Sequence, residues 1–331
     1  GYAACPDINN GMEVGDGKNP KLPLTMFSVP SVALGPRFGF AWDVFGNGKT
    51  AIRGGIGRFF NRGDGNQIMP MNGNPPVTRS STLYFTTISG VSQVRSGAYG
   101  PLSPGQSTIG DQKLEEAISA SFGIQQNVGF DTVLDVSYVT NLRRHIRQNR
   151  NINKIPKFSR YDPANADPWS PYTPKRSLSD VFLRPYKGWD TMNMGNFEGS
   201  TYYHSMQVQV RRRMTRNLSY SVAYTWSKTT VYGVFNDFPN SWGKRPDGND
   251  HVFALSYVYN IPGLGKRLGS KVLGAVLDGW TFSGITRFMS GSYMTPSFSW
   301  SGTTTANPAP WMTGSADGAR LNLLGNPVLP K

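Results

Sequence analysis

Residues 201–228 alternate between polar and apolar side chains, pause for a few residues, and then alternate again. Before the pause, Met206, Val208 and Val210 share one side, while serine, glutamine and arginine take the other. After it, the apolar positions are Leu218, Tyr220, Val222, Tyr224 and Trp226. Because neighbouring side chains of a β-strand point to opposite faces, this pattern predicts two strands joined by a short turn.

The same unit recurs near residues 37–60, 116–138 and 251–289. We therefore expect about eight strands, arranged as successive hairpins. The apolar positions of the three additional pairs include Phe38, Phe40, Trp42, Ile52, Ile56, Ile118, Phe122, Ile124, Leu134, Val136, Tyr138, Phe253, Leu255, Tyr257, Tyr259, Phe282 and Phe288.

The connections between these strands alternate in length. Short turns join the members of each pair, while long stretches rich in Pro, Gly and Asn separate the pairs. Structureless loops of this length are uncommon in compact soluble domains, whereas short periplasmic turns and long extracellular loops are typical of outer-membrane barrels. We predict barrel strands within 37–290, long loops near 61–116, 141–200 and 229–249, and extracellular loop segments at 1–36 and 291–331.

Alternation alone does not distinguish lipid from the interior of a soluble β-sandwich. Three features favour lipid. The predicted strands approach the ~9–11 residues that a tilted strand needs to cross a bilayer. Aromatic residues gather toward the ends of the apolar face, as aromatic girdles require. Charged residues are nearly confined to the other face, since Arg58, near a strand end, is the exception.

We therefore predict an all-β fold, an antiparallel transmembrane β-barrel or a section of one. The side chains expected to face lipid are Val208, Val210, Leu218, Tyr220, Val222 and Phe282. The alternative is a water-soluble β-sandwich in which the same face packs against protein.

Composition agrees with this prediction. Charged residues make up 16% of the 331 residues, below the usual quarter. The mean hydropathy is -0.39, and no apolar run approaches the ~18–20 residues of a spanning helix, which excludes a helical membrane protein. The net charge of +14 favours anionic surfaces. Lys and Arg lie mostly outside the alternating segments, so a solvated loop surface also accounts for this charge. The three arginines at 211–213 are expected to contact outer-membrane lipid and lipopolysaccharide rather than nucleic acid, because the neighbouring aromatic residues belong to the apolar face.

No residue is predicted to perform covalent chemistry. The three histidines are far apart and lack metal-ligand spacing, and Cys5 is the single cysteine. No G-x-S-x-G elbow occurs. We expect no catalytic residue, no metal site and no cofactor, so the protein is not predicted to be an enzyme.

Aromatic residues in the predicted long loops are the candidate ligand contacts. They can stack on sugars or anchor a partner, and they can equally pack the loops against each other. These residues are Tyr161, Trp169, Tyr172, Tyr232, Phe235, Phe238 and Trp242.

At these segments the chain resembles a known family. "GPRFGFAWDVFGNGKTAIRGGIGRFFNR", "YVTNLRRHIRQNRNINKIP", "YYHSMQVQVRRRMTRNLSYSVAYTWSK" and "HVFALSYVYNIPG" follow one another in the order found in TonB-dependent outer-membrane receptors. The resemblance is to the type that carries an N-terminal carboxypeptidase-regulatory-like domain. It covers roughly residues 36–60, 117–156, 200–228 and 250–296.

The resemblance implies a plugged barrel of about 22 strands that imports a bulky nutrient across the bacterial outer membrane. Its implied partners are a plug domain and an inner-membrane energy-coupling protein. The sequence shows no plug, no coupling box and no terminal aromatic-ended strand, so we expect a middle-to-late portion of the barrel. The alternative function is a structural or adhesive surface protein whose loops contact a matrix or a neighbouring chain without transport.

Overall fold

The structure of the chain is a computed structural model. It describes residues 27–28, 30–61, 110–111, 113–156, 158–187, 189–234, 242–263 and 278–293, with single positions at 16, 18, 71, 73, 74, 78, 87, 88, 269, 272 and 325. The predicted loop segments 1–36 and 291–331 therefore lie mostly outside the described residues, as does most of 61–116.

The described chain is dominated by β-strands. The strands are β1 (Phe27–Ser28), β2 (Arg37–Asp43), β3 (Thr50–Asn61), β4 (Gly110–Asp111), β5 (Glu115–Gly129), β6 (Thr132–Asn151), β7 (Asn193–Thr215), β8 (Leu218–Val234), β9 (Trp242–Asp247), β10 (His251–Asn260) and β11 (Thr281–Met289). Helical structure comprises α1 (Asp180–Leu183) and two 3-10 turns, Ser159–Tyr161 and Pro163–Asn165. Among the described residues, no helix has the length and apolar character needed to cross a membrane.

Nine strands form one antiparallel sheet in the order β2-β3-β5-β6-β7-β8-β10-β11, with β9 also paired to β8. Each long strand therefore lies beside its neighbour in sequence, as the hairpin pattern predicted. β1 and β4 form a separate parallel pair. Within the described residues, β2 and β11 each have a neighbour on one side, so the sheet is an open section. The predicted all-β antiparallel fold is confirmed.

Several strands extend beyond their predicted ends. β6 continues to Asn151 and β7 begins at Asn193, so the connection between them is 152–192 rather than 141–200. Similarly, β8 and β9 occupy much of the predicted loop 229–249. The alternation fades in the extensions of β6 and β7 because the pairing of these two strands shifts register on both sides of Ile146. Such bulges change which face the following residues occupy while the backbone pairing continues.

The short turns collect at one edge of the sheet. Phe130–Asp131 and Arg216–Asn217 connect their strands with positive φ angles of 53°, 55°, 49° and 68°. Two consecutive residues of positive φ form the mirrored turn that matches the twist of paired strands. Neighbouring turns are also joined, since Thr215 Oγ1 donates a hydrogen bond to Asp131 Oδ2 at 2.7 Å.

The strand register gathers the predicted apolar positions on one face. Directly opposed residues of an antiparallel pair point to the same side. One unbroken row across the sheet comprises Trp42, Ile52, Ile124, Val136, Val208, Tyr224, Phe253 and Phe288. We call the side that carries this row the apolar face. The opposite side, the polar face, carries rows such as Ala41, Arg53, Gly123, Ser137, Gln207 and Thr225.

The apolar face is not covered by the described chain. Phe38, Trp42, Phe282 and Phe288 are exposed by 58–67% of their surface. The buried hydrophobic side chains of the described residues, by contrast, all belong to the β6–β7 connection: Ile155, Leu183 and Trp189. A soluble sandwich would instead bury its apolar face against a second sheet. Large apolar surface of this kind requires an apolar medium or partner.

A single arginine on the apolar face tests this division. Val208→Arg, in the middle of the apolar row, is expected to lower the free energy of unfolding in lipid vesicles by about 2–4 kcal/mol, because the guanidinium enters hydrocarbon. The matched control is Thr225→Arg on the polar face, which should change the free energy of unfolding by less than about 0.5 kcal/mol. Denaturant titration with heat-modifiable gel migration measures both. Equal destabilisation by the two arginines would contradict the assignment of faces.

Candidate functional site

At the edge opposite the short turns, the longest strands extend beyond their neighbours. β9 pairs with the last part of β8 beyond the end of β10, and the break between β9 and β10 falls at Gly248, with φ 85°. The segment after β11 is fixed to this break, since Asp250 Oδ2 accepts the Tyr293 hydroxyl at 2.7 Å. That hydrogen bond raises the pKa of Tyr293 above its ordinary value.

The connection 152–192 between β6 and β7 contains three buried hydrophobic side chains. Ile155, Leu183 and Trp189 are buried at 1%, 7% and 3% exposure. They come from the start of the connection, from α1 and from the return to β7. These buried side chains mean that the connection folds into a defined unit on the wall rather than serving only as a link.

Asn153 is the polar centre of this unit and is completely buried. Its Nδ2 lies within hydrogen-bonding distance of the carbonyl oxygens of Tyr186, Trp189 and Asp190, at 3.1, 3.1 and 2.8 Å. Its Oδ1 accepts from the Tyr186 backbone N–H at 2.8 Å. One side chain thus satisfies several buried backbone groups that would otherwise lose their hydrogen bonds to water.

Two arginine–aspartate pairs reinforce the unit. The buried Arg184 donates to the Asn153 carbonyl at 2.6 Å and to Asp190 Oδ1 at 2.7 Å. Arg160 donates through Nη2 to both carboxylate oxygens of Asp180, at 2.7 and 2.8 Å. Charge-assisted contacts of this kind fix geometry more firmly than neutral ones.

Residues 166–177 form the tip of the connection. The strand-like bridge between Ala166 and Ser177 closes it, and the Asp167 N–H donates to the Arg176 carbonyl at 2.7 Å. Trp169 at this tip is 90% exposed. The guanidinium of Arg176 lies 3.7 Å from the centre of the Tyr172 ring. An aromatic and cationic surface is therefore presented on an ordered support.

The seven predicted ligand contacts fall into three groups. Tyr161, Trp169 and Tyr172 share the β6–β7 connection and are exposed. Tyr232 and Trp242 belong to strands β8 and β9 rather than to a loop, because the backbone pairing continues through them. Phe235 and Phe238 lie outside the described residues. Ligand contact by any of the seven stays a prediction.

Sequence reasoning missed the residues that support the site. Asn153, Arg184 and Asp190 were not singled out, although they hold the connection together. Asn153 is separated from its partners by 31 to 37 positions in the sequence. Arg184 and Asp190 are six positions apart. No periodic pattern reports contacts of this kind; the cluster of Asn and Asp near both strand ends was the available signal.

The polar face is hydrophilic along its height. Near the short turns, a depression of about 560 Å³ is lined largely by this face, including Arg211, Ser221, Ser256 and Ser283. Arg53 and Asp135 form an ion pair at 3.6 Å. The described residues contain no cluster of three or more His, Cys, Asp or Glu that would suit a metal ion.

Glycines let one side chain lie flat across the wall near the long connections. Gln148 of β6 covers Gly199 of β7 and Gly233 of β8. A Cβ at Gly199 would stand 2.7 Å from Gln148 Nε2, and one at Gly233 would overlap the amide. The close approach of Gln148 therefore requires glycine at both positions.

Comparison with protein families identifies the fold. The family model described as "Outer membrane beta barrel domain" matches residues 9–331. The chain belongs to this family. It is accordingly a β-barrel protein of the bacterial outer membrane, and the predicted location is confirmed. No curated protein sequence matches this outer membrane β-barrel chain.

Several solved structures are similar to the barrel chain at low identity. The outer membrane transporter YddB from Escherichia coli is 15% identical, with a TM-score of 0.40, over 68% of this chain and 26% of its own. The alcaligin outer membrane receptor FauA from Bordetella pertussis is 12% identical, with a TM-score of 0.36, over 78% and 30%. The siderophore receptor PirA from Pseudomonas aeruginosa is 12% identical, with a TM-score of 0.31, over 69% and 36%. The chain thus spans about a quarter to a third of these proteins.

Removing the polar centre should loosen the β6–β7 connection without disturbing the wall. Asn153→Ala leaves buried carbonyls without donors, at about 1–3 kcal/mol for each unsatisfied group. Hydrogen exchange within 153–190 is expected to accelerate roughly ten- to a hundredfold, while exchange in β7 and β8 stays unchanged.

The control for this experiment is Asn149→Ala, at an exposed position of β6. It should leave exchange in the connection unaltered. Unchanged protection in Asn153→Ala would show that the connection does not depend on this side chain.

Proposed function

We propose that the chain forms part of the barrel wall of a TonB-dependent receptor that binds a bulky nutrient and imports it through a plugged lumen. The observation that carries this proposal is the self-packed β6–β7 connection. It holds exposed aromatic side chains at one edge of a hydrophilic wall. A transporter needs both features: a surface that captures a ligand and a polar path beside it.

In this proposal the apolar face contacts lipid. Val208 belongs to the unbroken apolar row. On the same face, toward the short turns, lie Val210, Val222, Leu218, Tyr220 and Phe282. The short turns then face the periplasm and the long connections face the exterior. The terminal segments 1–36 and 291–331 are proposed to join the exterior loops.

The polar face lines the lumen. Its many Gly, Ser and Ala side chains fill little volume, which suits a wide barrel whose interior is occupied by another domain. A plug domain is the proposed occupant, and an inner-membrane energy-coupling protein is the proposed source of work. The Arg53–Asp135 pair and the serines near Arg211 supply hydrogen-bonding groups for such a contact.

The proposed ligand surface centres on Trp169, Tyr172 and Tyr161. Aromatic faces stack on planar groups or sugar rings, and Arg176 adds a positive charge beside Tyr172. Tyr232, Phe235, Phe238 and Trp242 mark a second connection that is proposed to contribute from the neighbouring strands. The ligand is expected to be large enough to touch both connections.

Adhesion is the second candidate function. The 90% exposure of Trp169 favours it, because an isolated, projecting indole is also suited to anchoring a protein partner. In that case the same tip contacts a matrix or a neighbouring cell, and no substrate crosses the wall.

Uptake measurements separate the two functions. Cells that express the full-length protein are given radiolabelled ferric chelates, cobalamin and oligosaccharides, and both surface binding and accumulation are measured. At least one probe is expected to accumulate, and collapse of the proton gradient should stop accumulation but leave binding. The double variant Trp169→Ala/Tyr172→Ala should weaken binding roughly tenfold through lost stacking.

The control is Phe45→Ala, which removes an aromatic side chain that is 70% exposed in the β2–β3 turn at the opposite edge. Binding and accumulation should not change in this variant. Energy-independent accumulation, or no accumulation of any probe together with loss of cell attachment in the double variant, would replace transport with adhesion.

A further inference from the structure

The upper margin of the apolar face, toward the long connections, carries a compact set of polar and aromatic side chains. We call it the interface belt and define it as Tyr138, His204, Tyr224, Trp226, Lys228 and His251. Register joins its members across four strands, because His204 lies opposite Lys228 and Trp226 lies opposite His251. Nothing in the proposed transport path requires these residues, since they face away from the polar wall.

Both imidazoles of the belt are held in place by tyrosines. The Tyr138 hydroxyl lies 2.6 Å from His204 Nδ1, and the Tyr224 hydroxyl lies 2.8 Å from His251 Nδ1. Trp226 stacks parallel to His251, with ring centres 6.4 Å apart and planes 3° apart. These contacts engage one ring nitrogen of each histidine. No hydrogen bond from a described residue reaches either Nε2, so this nitrogen is available to an external group.

The belt stands at the height of lipid headgroups. On β8, the apolar positions run from Leu218 to Trp226, and Lys228 follows Leu218 by ten positions. At ~3.3 Å per residue and the usual strand tilt of ~40°, ten residues span about 25 Å of membrane thickness. That is the height of the apolar band of outer-membrane barrels. The hydrocarbon of the bilayer therefore ends near Lys228, at the upper end of the belt.

The charge of this margin is positive. Lys228 and Arg144 are exposed, and no described carboxylate forms an ion pair with either. Glu116, which lies opposite Arg144 on this face, is bound by Arg58 through Nε at 2.9 Å and through Nη2. Cations and imidazole N–H groups at a headgroup boundary match the oxygens of a phosphate.

We propose that the interface belt binds a phosphate group of the phosphorylated glycolipid that forms the outer leaflet. Lys228 and the two Nε2 atoms bind the phosphate, Trp226 and Tyr138 lie beside the sugar, and the acyl chains extend down the Met206 and Val208 positions. The apolar band directly below the belt favours a lipid over a free phosphate, because a free phosphate would make no contact with this band. The site does not depend on whether the barrel transports a nutrient.

The test measures lipid retention by the detergent-solubilised full-length protein. The probes are a hexa-acylated glucosamine disaccharide lipid with two phosphates and the same lipid after dephosphorylation. Native mass spectrometry counts the lipid bound per protein. The bisphosphorylated lipid is expected to be retained at several-fold lower concentration than its dephosphorylated form. Equal retention of the two lipids would overturn the proposal.

Substitutions locate the binding. Lys228→Gln should weaken retention about fivefold, the effect of one cation near an anionic membrane surface. The triple variant with His204→Gln and His251→Gln should weaken it further. Arg287→Gln is the matched control, because it removes an exposed cation from the polar face of β11. It should retain lipid as the unsubstituted protein does.

Two outcomes would refute the site. One is retention by Lys228→Gln equal to that by Arg287→Gln. The other is competition by inorganic phosphate at the concentration of the lipid, which would show that the belt recognises phosphate alone. Heat-modifiable migration verifies folding, and the exposed single variant Lys228→Gln decides the test if the triple variant does not fold. Trp169→Ala/Tyr172→Ala should keep full lipid retention, which separates this site from the proposed transport function.

Discussion

The structure depends on one constraint: a backbone that crosses hydrocarbon has no water with which to share its hydrogen bonds. The strands meet it by pairing with their neighbours, from β2 through to β11. Once pairing is obligatory, the register determines everything else, because it decides which residues stand side by side on each face. The row from Trp42 to Phe288 is a direct product of that register. The chain holds its apolar residues on one face of a sheet whose hydrogen bonds are made between its own strands.

The sequence predicted most of the strands of the sheet but little of the structure of the β6–β7 connection. Alternation identified β7 and β8 around Val208 and Val222, because apolar residues keep to one face there and polar residues to the other. It failed in the extensions of β6 and β7, where register shifts near Ile146 interrupt the period of two while pairing persists. Tyr232 and Trp242 were assigned to a loop, although the pairing of β8 with β9 continues through both residues. Near the long connections both faces of a strand carry polar residues, and the pattern carries no information there.

The β6–β7 connection was beyond prediction for a different physical reason. Its order depends on Asn153, whose partners include backbone groups more than thirty residues away. Contacts of that kind are set by the path of the whole segment and leave no local signature. The aromatic residues Tyr161, Trp169 and Tyr172 were recognisable as unusual in composition. Which of them would be presented, and on what support, required the fold.

The hydrogen bonds around Asn153 run to main-chain oxygens and to one main-chain N–H. Because these bonds use only main-chain atoms of Tyr186, Trp189 and Asp190, they do not require particular side chains at those positions. A connection anchored in this way separates its framework from its displayed surface. Residues at the tip can therefore be replaced without changing the hydrogen bonds by which the Asn153 amide holds the rest of the connection.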